Sequence, residues 1–320
     1  MRYLSRVGRQ RTVLMPSWLA DPGLPGLRVA SWDGFGSAAQ SEVPDQSTLD
    51  QVEFFVLPYM GPPRDVELTA RMPRLQAVQT LTAGVDGIPE RLPPGVALFS
   101  AEGVHDASTA ELAVGLMIAC QRGIDLAARD TPAGRWRHER RRSLADSRVV
   151  VVGWGGVGRA IGRRLAGFEV EVVPVAGTAR DGVLGTADLD GELARADIVV
   201  LAVPLTAATR GLIDARRLAL LPDGCLLVNV SRGPVVVTEA LTAELVAGRL
   251  RAALDVSDPE PLPPDHPLWR APGVLITSHV GGNSAAFPPR AEALVAAQLR
   301  RWCDGAPLVG AVTAAPQAQT

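Results

Sequence analysis

The feature that most constrains the fold is a glycine-rich turn between a buried strand and a helix. Four valines, Val149–Val152, lead into Gly153-Trp-Gly155-Gly-Val-Gly158, and a helical pattern follows. In such a G-x-G-x-x-G turn the glycines permit a tight bend, close approach to a pyrophosphate and close helix packing. The start of the helix then presents free N–H groups to phosphate. The pattern predicts a dinucleotide site, and the alternative is a glycine-rich turn without a ligand.

Short β-branched runs alternate with helical patterns along the rest of the chain, which predicts an α/β fold with parallel sheets. In the first third, strands are predicted at residues 12–15, 28–32, 53–57, 77–80 and 96–100. In the remainder they are predicted at residues 148–152, 170–175, 198–203, 225–230, 252–256 and 274–278. A long helix is predicted over residues 108–128, with Ser108 and Glu111 forming a capping box at its start.

The length of 320 residues fits two domains. Residues 101–284 form a self-contained strand and helix alternation, which predicts a dinucleotide-binding domain. Residues 1–100 and the helical segment 285–320 then remain, and we expect them to pack on each other as a second domain. The fold class is therefore α/β with a doubly wound, Rossmann-type cofactor domain inserted in the second domain.

Composition excludes several classes of function. The formal net charge is −2, which favours neither nucleic acid nor an anionic membrane as a partner. Three cysteines stand far apart without a CxxC motif, so we expect neither a disulfide framework nor a metal site. The apolar runs are too short to cross a bilayer. We therefore expect a cytoplasmic protein.

The choice between NAD and NADP depends on the end of the strand after the glycine turn. An NAD enzyme usually has Asp or Glu at this place to hold the ribose 2′-OH. Here Ala176 fills it, and Arg180 follows four residues later. Because no carboxylate repels a 2′-phosphate and an arginine can pair with one, we favour NADP. The alternative is that Arg180 is a solvated loop residue and NAD binds without its usual anchor.

Three polar side chains follow three predicted strands, and parallel strands end at one edge of a sheet. Arg232 follows strand 225–230, Glu260 follows strand 252–256, and His279 follows strand 274–278. An arginine binds a carboxylate through two parallel hydrogen bonds. A glutamate orients a histidine ring and keeps it protonated, so that the histidine can donate a proton to a carbonyl oxygen. Taken alone, a histidine is more often structural than catalytic.

The chain resembles the D-2-hydroxyacid dehydrogenase family through several motifs in the family's order. They are the glycine turn, Asn229-Val-Ser-Arg-Gly233, Ala253-Leu-Asp-Val256 with Glu260-Pro-Leu-Pro263, His266-Pro-Leu-Trp269, Thr277-Ser-His-Val-Gly-Gly282, and upstream Thr82-Ala-Gly-Val-Asp86 and Thr109-Ala-Glu111. The resemblance implies a flavodoxin-like substrate domain, a homodimer, and reversible reduction of a 2-keto acid to a D-2-hydroxy acid by NAD(P)H.

The resemblance also implies the roles of particular residues. It makes Arg232, Glu260 and His279 the catalytic set and assigns the substrate carboxylate to the backbone of Ala83, Gly84 and Val85. The residues predicted to bind the cofactor are Gly153, Gly155, Gly156, Val157, Gly158, Ala176, Arg180, Pro204, Thr209, Val230, Asp255 and Gly282.

Three features of the sequence leave alternatives open. Retained catalytic residue types do not distinguish an enzyme from a catalytically weak, NAD(H)-sensing or corepressor-like protein of the same fold. The loop Pro58–Pro63, where the family contacts the substrate side chain, carries no charge and indicates no particular substrate. The arginine cluster 135–142 predicts a solvated dimer arm, or alternatively an arm in which Arg135 or Arg137 reaches the neighbouring active site and favours a doubly anionic substrate.

Overall fold

The computed structural model describes residues 10–35 and 42–312. It divides the chain into two compact units, residues 1–105 with 285–320 (unit 1) and residues 106–284 (unit 2). The division falls between His105 and Asp106, a few residues beyond the boundary predicted at residues 100 and 101. Both ends of the predicted substrate domain, residues 1–9 and 313–320, lie outside the described residues.

Unit 1 contains a parallel sheet whose strand order is β2-β1-β3-β4-β5. Its strands are β1 (Arg11–Met15), β2 (Leu27–Ser31), β3 (Val52–Val56), β4 (Ala77–Gln79) and β5 (Ala97–Phe99). Two short helices, α1 (Gln46–Leu49) and α2 (Pro63–Glu67), lie between strands, and the C-terminal helix α9 (Phe287–Cys303) belongs to the same unit. This strand order is the flavodoxin-like one.

The core of unit 1 follows the alternation of side chains along its strands. Val13 and Met15 of β1 pack in one cluster with Val295 and Leu299 of α9. The residue between them, Leu14, points to the opposite face and packs in a second cluster. Helix α9 therefore covers one face of the sheet, although it lies at the far end of the chain.

Unit 2 contains a parallel sheet of six strands in the order β11-β10-β9-β8-β6-β7. The strands are β6 (Arg148–Val152), β7 (Glu171–Val175), β8 (Ile198–Leu201), β9 (Leu226–Asn229), β10 (Arg251–Leu254) and β11 (Val274–Ile276). The helices are α3 (Asp106–Arg122), α4 (Ile124–Asp130), α5 (Gly156–Leu165), α6 (Leu189–Leu193), α7 (Ala215–Leu220) and α8 (Thr238–Val246).

A single residue extends this sheet beyond β7. Leu184 forms a parallel bridge with Val175, supported by hydrogen bonds from Leu184 N to Pro174 O and from Ala176 N to Leu184 O, both 2.9 Å. When Leu184 is counted as a third strand, the first six strands follow the Rossmann order 3-2-1-4-5-6. The third strand of the doubly wound sheet is therefore reduced here to one bridge.

The valine run shows why this sheet needs helices on both faces. Val149 and Val151 of β6 pack in one cluster with Met117 of α3 and Ile161 of α5. Val150 and Val152 lie in the cluster on the other face. Because both faces are buried, the strand is continuously apolar, as expected of parallel sheets. The predicted α/β fold with two domains is confirmed, and the predicted strands are all present with ends that differ by at most two residues.

The prediction of one helix over residues 108–128 is wrong in two respects. Helix α3 begins at Asp106, so Ser108 lies inside it and is buried rather than capping its start. The helix then stops at Gly123, which has a left-handed φ of +65°, before α4 begins. Glycine adopts this conformation without the steric cost that other residues incur. None of the helices in the described part of the chain is long and apolar enough to cross a membrane.

Candidate active site

Packing requires glycine at both ends of the turn between β6 and α5. Gly153 has a φ of +104°, and a Cβ there would lie 2.3 Å from the carbonyl oxygen of Ala202. A Cβ on Gly158 would lie 1.8 Å from the carbonyl oxygen of Gly153. Gly155, in contrast, has no neighbour within 4 Å of its Cβ position. The middle glycine therefore borders open space, where the pattern predicts the pyrophosphate.

The start of α5 fits a dinucleotide phosphate. The N-cap residue is Gly155, which has no side chain to cap the first N–H groups, and the first turn contains no acidic residue. At Gly156, a Cβ would lie 2.0 Å from a carboxylate oxygen of Asp106, so a larger residue there would displace the Asp106 side chain. Uncapped N–H groups at a helix start bind anions. The predicted residues Gly153–Gly158 thus form a cradle suited to the pyrophosphate of a nicotinamide dinucleotide.

Arg180 lies beside this cradle. Its Nη2 donates to the carbonyl oxygen of Trp154, 3.2 Å away, within the glycine turn. The backbone of Arg180 exchanges hydrogen bonds with Val183 at 3.0 and 2.8 Å, which closes a tight turn after β7. Ala176 lies just past the end of β7 and has no carboxylate to repel a 2′-phosphate. Both residues therefore lie beside the glycine turn, at the place where the sequence predicts the choice between the two nicotinamide cofactors.

Of the other predicted cofactor residues, Pro204, Thr209, Val230 and Gly282 lie in loops after strands, whereas Val157 lies in helix α5. Thr209 Oγ1 donates to Pro204 O at 2.6 Å and accepts from Thr206 N at 2.8 Å, which closes the loop after β8. Val157, in the first turn of α5, packs against the same cluster as Val230, which is buried just after β9. Gly282 follows the loop of His279. In this group, the hydroxyl group of Thr209 is therefore used to shape its own loop.

His279 and Glu260 are in direct contact. His279 Nδ1 lies 2.6 Å from Glu260 Oε1, although 19 residues separate them in sequence. Their side chains are 29% and 40% exposed, so both remain accessible from solvent. Because Nδ1 faces the carboxylate, Nε2 is the ring nitrogen left to meet a substrate. This is the arrangement of an oriented general acid.

Asp255 holds the loop that carries His279. Its carboxylate accepts three hydrogen bonds: from Thr277 Oγ1 at 2.6 Å, from Val280 N at 2.9 Å and from Gly281 N at 2.9 Å. Its backbone carbonyl accepts from His279 N at 2.7 Å. His279 itself has a left-handed φ of +53°, which is uncommon for a residue other than glycine. Asp255 was predicted as a cofactor residue, and sequence reasoning missed this loop-holding role.

Arg232 is positioned by a turn after β9. The buried Asn229 accepts from Ser231 N at 3.0 Å and from Ser231 Oγ at 2.7 Å, and its amide donates to Arg232 O at 3.0 Å. Gly233 lets this turn approach the loop after β10, because a Cβ there would lie 1.9 Å from Ser257 O. The motif Asn229–Gly233 pointed to Arg232 but did not show that Asn229 shapes the turn.

The strand register places these three loops side by side. Leu254 of β10 pairs with Asn229 of β9 on one side and with Ile276 of β11 on the other. The loops that follow carry Glu260, Arg232 and His279. The structure thus brings the predicted catalytic residues to one edge of the sheet of unit 2 and pairs two of them directly.

The predicted carboxylate-binding residues lie in unit 1, in the loop after β4. Thr80 Oγ1 donates to Thr82 O at 2.6 Å, and Thr82 Oγ1 donates to Gly84 O at 2.7 Å. Val85 O accepts from Ile88 N at 3.0 Å. These bonds fix the backbone around Ala83 by engaging its neighbours' carbonyl oxygens.

Two of the remaining histidines have structural contacts. His266 Nδ1 accepts from Leu268 N at 3.2 Å and caps a short 3₁₀-helix. His105 is buried, its Nε2 lies 2.8 Å from Leu81 O, and its ring stacks on Phe287 with centroids 5.0 Å apart. His138 is exposed in the arginine cluster.

Comparison with known proteins identifies the family. Residues 114–281 match the D-isomer specific 2-hydroxyacid dehydrogenase family, NAD binding domain. The glyoxylate reductase of Thermofilum pendens is 34% identical over 250 residues, which cover 73% of this chain and 74% of that protein. The D-3-phosphoglycerate dehydrogenase of Archaeoglobus fulgidus is 30% identical over 78% of this chain, but only 49% of that protein is covered.

A solved structure extends the likeness to nearly the whole chain. The D-isomer specific 2-hydroxyacid dehydrogenase of Xanthobacter autotrophicus Py2, in complex with NADPH and MES, superposes with a TM-score of 0.77 at 31% identity. The match covers 95% of this chain and 98% of that one. This chain belongs to the D-isomer specific 2-hydroxyacid dehydrogenase family.

Proposed function

We propose that the protein reversibly reduces a 2-keto acid to a D-2-hydroxy acid with a nicotinamide cofactor. The observation that carries this proposal is the 2.6 Å contact between His279 Nδ1 and Glu260, at the same sheet edge as Arg232. The uncapped glycine cradle at the start of α5 supplies the matching cofactor site. The nicotinamide, when bound, supplies the hydride that reaches the carbonyl carbon.

The proposed catalytic residues divide the reaction between them. His279 donates a proton from Nε2 to the carbonyl oxygen, and Glu260 stabilises the protonated ring. Arg232 binds the substrate carboxylate through two hydrogen bonds and polarises the adjacent carbonyl. The family resemblance adds the backbone amides of Ala83–Val85 as further carboxylate ligands. In the reverse direction, His279 accepts the proton of the hydroxyl group.

Turnover tests the reaction class. Oxidation of NADPH and NADH is followed by absorbance with glyoxylate, hydroxypyruvate, pyruvate, phenylpyruvate and phosphonopyruvate. We expect turnover with the parent chain, and a loss of about 10²–10⁴-fold in kcat for His279→Ala. The matched control is His138→Ala, which removes an exposed histidine. Cofactor binding without any turnover would instead support the nucleotide-sensing alternative.

We also propose NADP as the preferred cofactor. This proposal is supported by Ala176 and by Arg180, which lies against the glycine turn. The Xanthobacter relative was solved with NADPH. Arg180→Ala should raise the KM for NADPH about tenfold and leave the KM for NADH unchanged, because one charge-assisted contact to a phosphate is lost. Equal effects on both cofactors would refute a role in reading the 2′-phosphate.

Finally, we propose a cytoplasmic homodimer, with residues 108–147 as the interface. Trp136 is 95% exposed and Ile124 of α4 is 53% exposed, and such apolar side chains indicate a protein contact. Sedimentation velocity of the parent chain and of a Trp136→Ser variant tests this. A parent chain that sediments as a monomer would refute the dimer.

A further inference from the structure

A cavity of about 230 Å³ lies beside the proposed carboxylate loop in unit 1. Residues 80–82 and 86–88, on either side of Ala83–Val85, line it. Its opposite wall is the loop Pro58–Pro63 together with Val66 of α2. A 2-keto acid whose carboxylate is held by this loop therefore has its side chain beside the cavity.

The walls of the cavity are mostly apolar, with Leu57, Met60, Leu81 and Ile88 among them. The hydroxyl groups of Thr80 and Thr82 are already used, since they donate to backbone carbonyls of the same loop. An apolar lining with few polar groups is typical of a site for an uncharged organic group.

Asp65 of α2 is held rigidly at the edge of this cavity. It is 2% exposed, and its Oδ1 accepts from Phe35 N at 3.0 Å. Among the described residues its Oδ2 has no hydrogen-bond partner, and it lies against two glycines, since Cβ atoms on Gly61 and Gly34 would come within 2.0 and 2.6 Å of it. The carboxyl group therefore occupies space that glycine leaves open, at the wall of the cavity.

A second cavity, of about 460 Å³, shares Pro58, Met60, Gly61 and Asp65 with the first. Its other walls include the aromatic side chains of Trp18, Tyr59 and Phe287. Asp65 thus lies where the two cavities adjoin, and a long apolar side chain has room on both sides of it.

The charges around the first cavity are unfavourable to an anion. Asp65 and Asp86 both line it. Its arginine, Arg91, already donates from Nε to Gly87 O at 3.1 Å and from Nη1 to Glu67 Oε1 at 3.4 Å. Burial raises the pKa of Asp65, so a second negative charge nearby would have to be repelled or force its protonation. Either outcome weakens binding of a distal anion.

We propose that this cavity receives the side chain of the 2-keto acid and selects a bulky, uncharged side chain over one that ends in a carboxylate or a phosphate. The inference rests on the proposed function and names the substrate class of its site. It separates this chain from its Archaeoglobus fulgidus relative, whose name specifies a phosphorylated substrate.

A matched pair of substrates tests the inference. In 5-methyl-2-ketohexanoate, two methyl groups replace the distal carboxylate oxygens of 2-ketoglutarate, so shape is kept and one charge is removed. We expect kcat/KM to favour the uncharged compound by about 100-fold, the size of one like-charge interaction across about 6 Å near a protein surface. Asp65→Asn keeps the shape and the acceptor for Phe35 N, and should lower this ratio by about tenfold or more.

Two control variants separate local from general effects. Glu90→Gln removes an exposed negative charge of the same unit and should leave the ratio unchanged. Arg91→Gln removes a positive charge from the cavity wall and should therefore raise the preference for the uncharged compound, by no more than about tenfold. A much larger, selective loss of 2-ketoglutarate turnover would make Arg91 a receptor for the distal anion, and the inference would be wrong. A wild-type preference for 2-ketoglutarate, or an unaltered ratio in a folded Asp65→Asn, would also overturn it.

A second variant keeps the test valid if Asp65→Asn does not fold. Ile88→Phe should reduce kcat/KM for 5-methyl-2-ketohexanoate by about tenfold while sparing glyoxylate, which has no side chain to place. Equal loss for both substrates would refute the cavity as the side-chain site.

If no keto acid is turned over at all, the proposed function fails. The cavity is then tested by thermal shift with 5-methylhexanoate and glutarate, where stabilisation by glutarate alone would overturn the inference.

Discussion

Replacing Asp255 should damage both the stability and the catalysis of this protein. The side chain is 3% exposed and accepts hydrogen bonds from Thr277, Val280 and Gly281. These bonds fold the loop in which His279 has its left-handed φ of +53°. Such a conformation costs about 1–3 kcal/mol and persists only where the surrounding structure imposes it. Asp255 is the group that imposes it here.

The expected loss of unfolding free energy follows from the hydrogen-bond donors that the substitution leaves without a partner. Asp255→Ala leaves the N–H groups of Val280 and Gly281 unpaired, at about 1–3 kcal/mol each. The loss of unfolding free energy is therefore about 2–6 kcal/mol, a large part of the usual 5–15 kcal/mol. Asp255→Asn retains one acceptor oxygen and should lose about half as much. In both variants kcat falls, because the ring of His279 is no longer held against Glu260.

The assay combines urea unfolding with steady-state kinetics on the same preparations. Asp258→Asn, an exposed acid in the neighbouring loop, is the control and should match the parent chain in both. The competing explanation is that Asp255 acts mainly by binding the cofactor, as the family resemblance implies. An unchanged unfolding free energy together with a raised KM for the cofactor alone would refute the loop-holding argument.

Three further predictions concern other parts of unit 2. Glu260→Gln should lower kcat for keto-acid reduction, because an amide orients the His279 ring but does not stabilise its charge; an unchanged kcat would argue against the ion pair. Gly158→Ala should lower the midpoint of thermal unfolding, because its Cβ would meet the backbone at 1.8 Å. Gly155→Ala should leave this midpoint unchanged and instead weaken cofactor binding, as measured by nucleotide titration. Burial raises the pKa of Cys225 to about 12, so this thiol should resist iodoacetamide in the native state at pH 8, and rapid labelling detected by mass spectrometry would contradict its packing.

Local sequence patterns were sufficient for the arrangement of strands and for the cofactor turn. The run Val149–Val152 is continuously apolar because both faces of its strand are buried, and this property is visible in any window of the sequence. The glycines of the turn could be recognised because their spacing reflects close backbone contacts within one short segment. Arg232, Glu260 and His279 could be proposed together because each follows a strand of one parallel sheet.

Local patterns failed where a partner distant in sequence decides the structure. The helix predicted over residues 108–128 ends at Gly123 because the chain turns there, and an interior glycine does not by itself reveal a turn. The third strand of the sheet of unit 2 could not be recognised, since only Leu184 pairs with β7. Helix propensity and strand propensity are weak signals when tertiary packing opposes them.

The sequence by itself determined the fold class, the glycine turn and the types of side chain proposed as catalytic, because these depend on spacings of a few residues. Only the tertiary structure decided that Asp255 holds the His279 loop and that Asp65 lies against Gly34 and Gly61. The reason is that a buried carboxylate is defined by the groups that surround it. Those groups come from separate strand ends, which meet only when the sheet has formed.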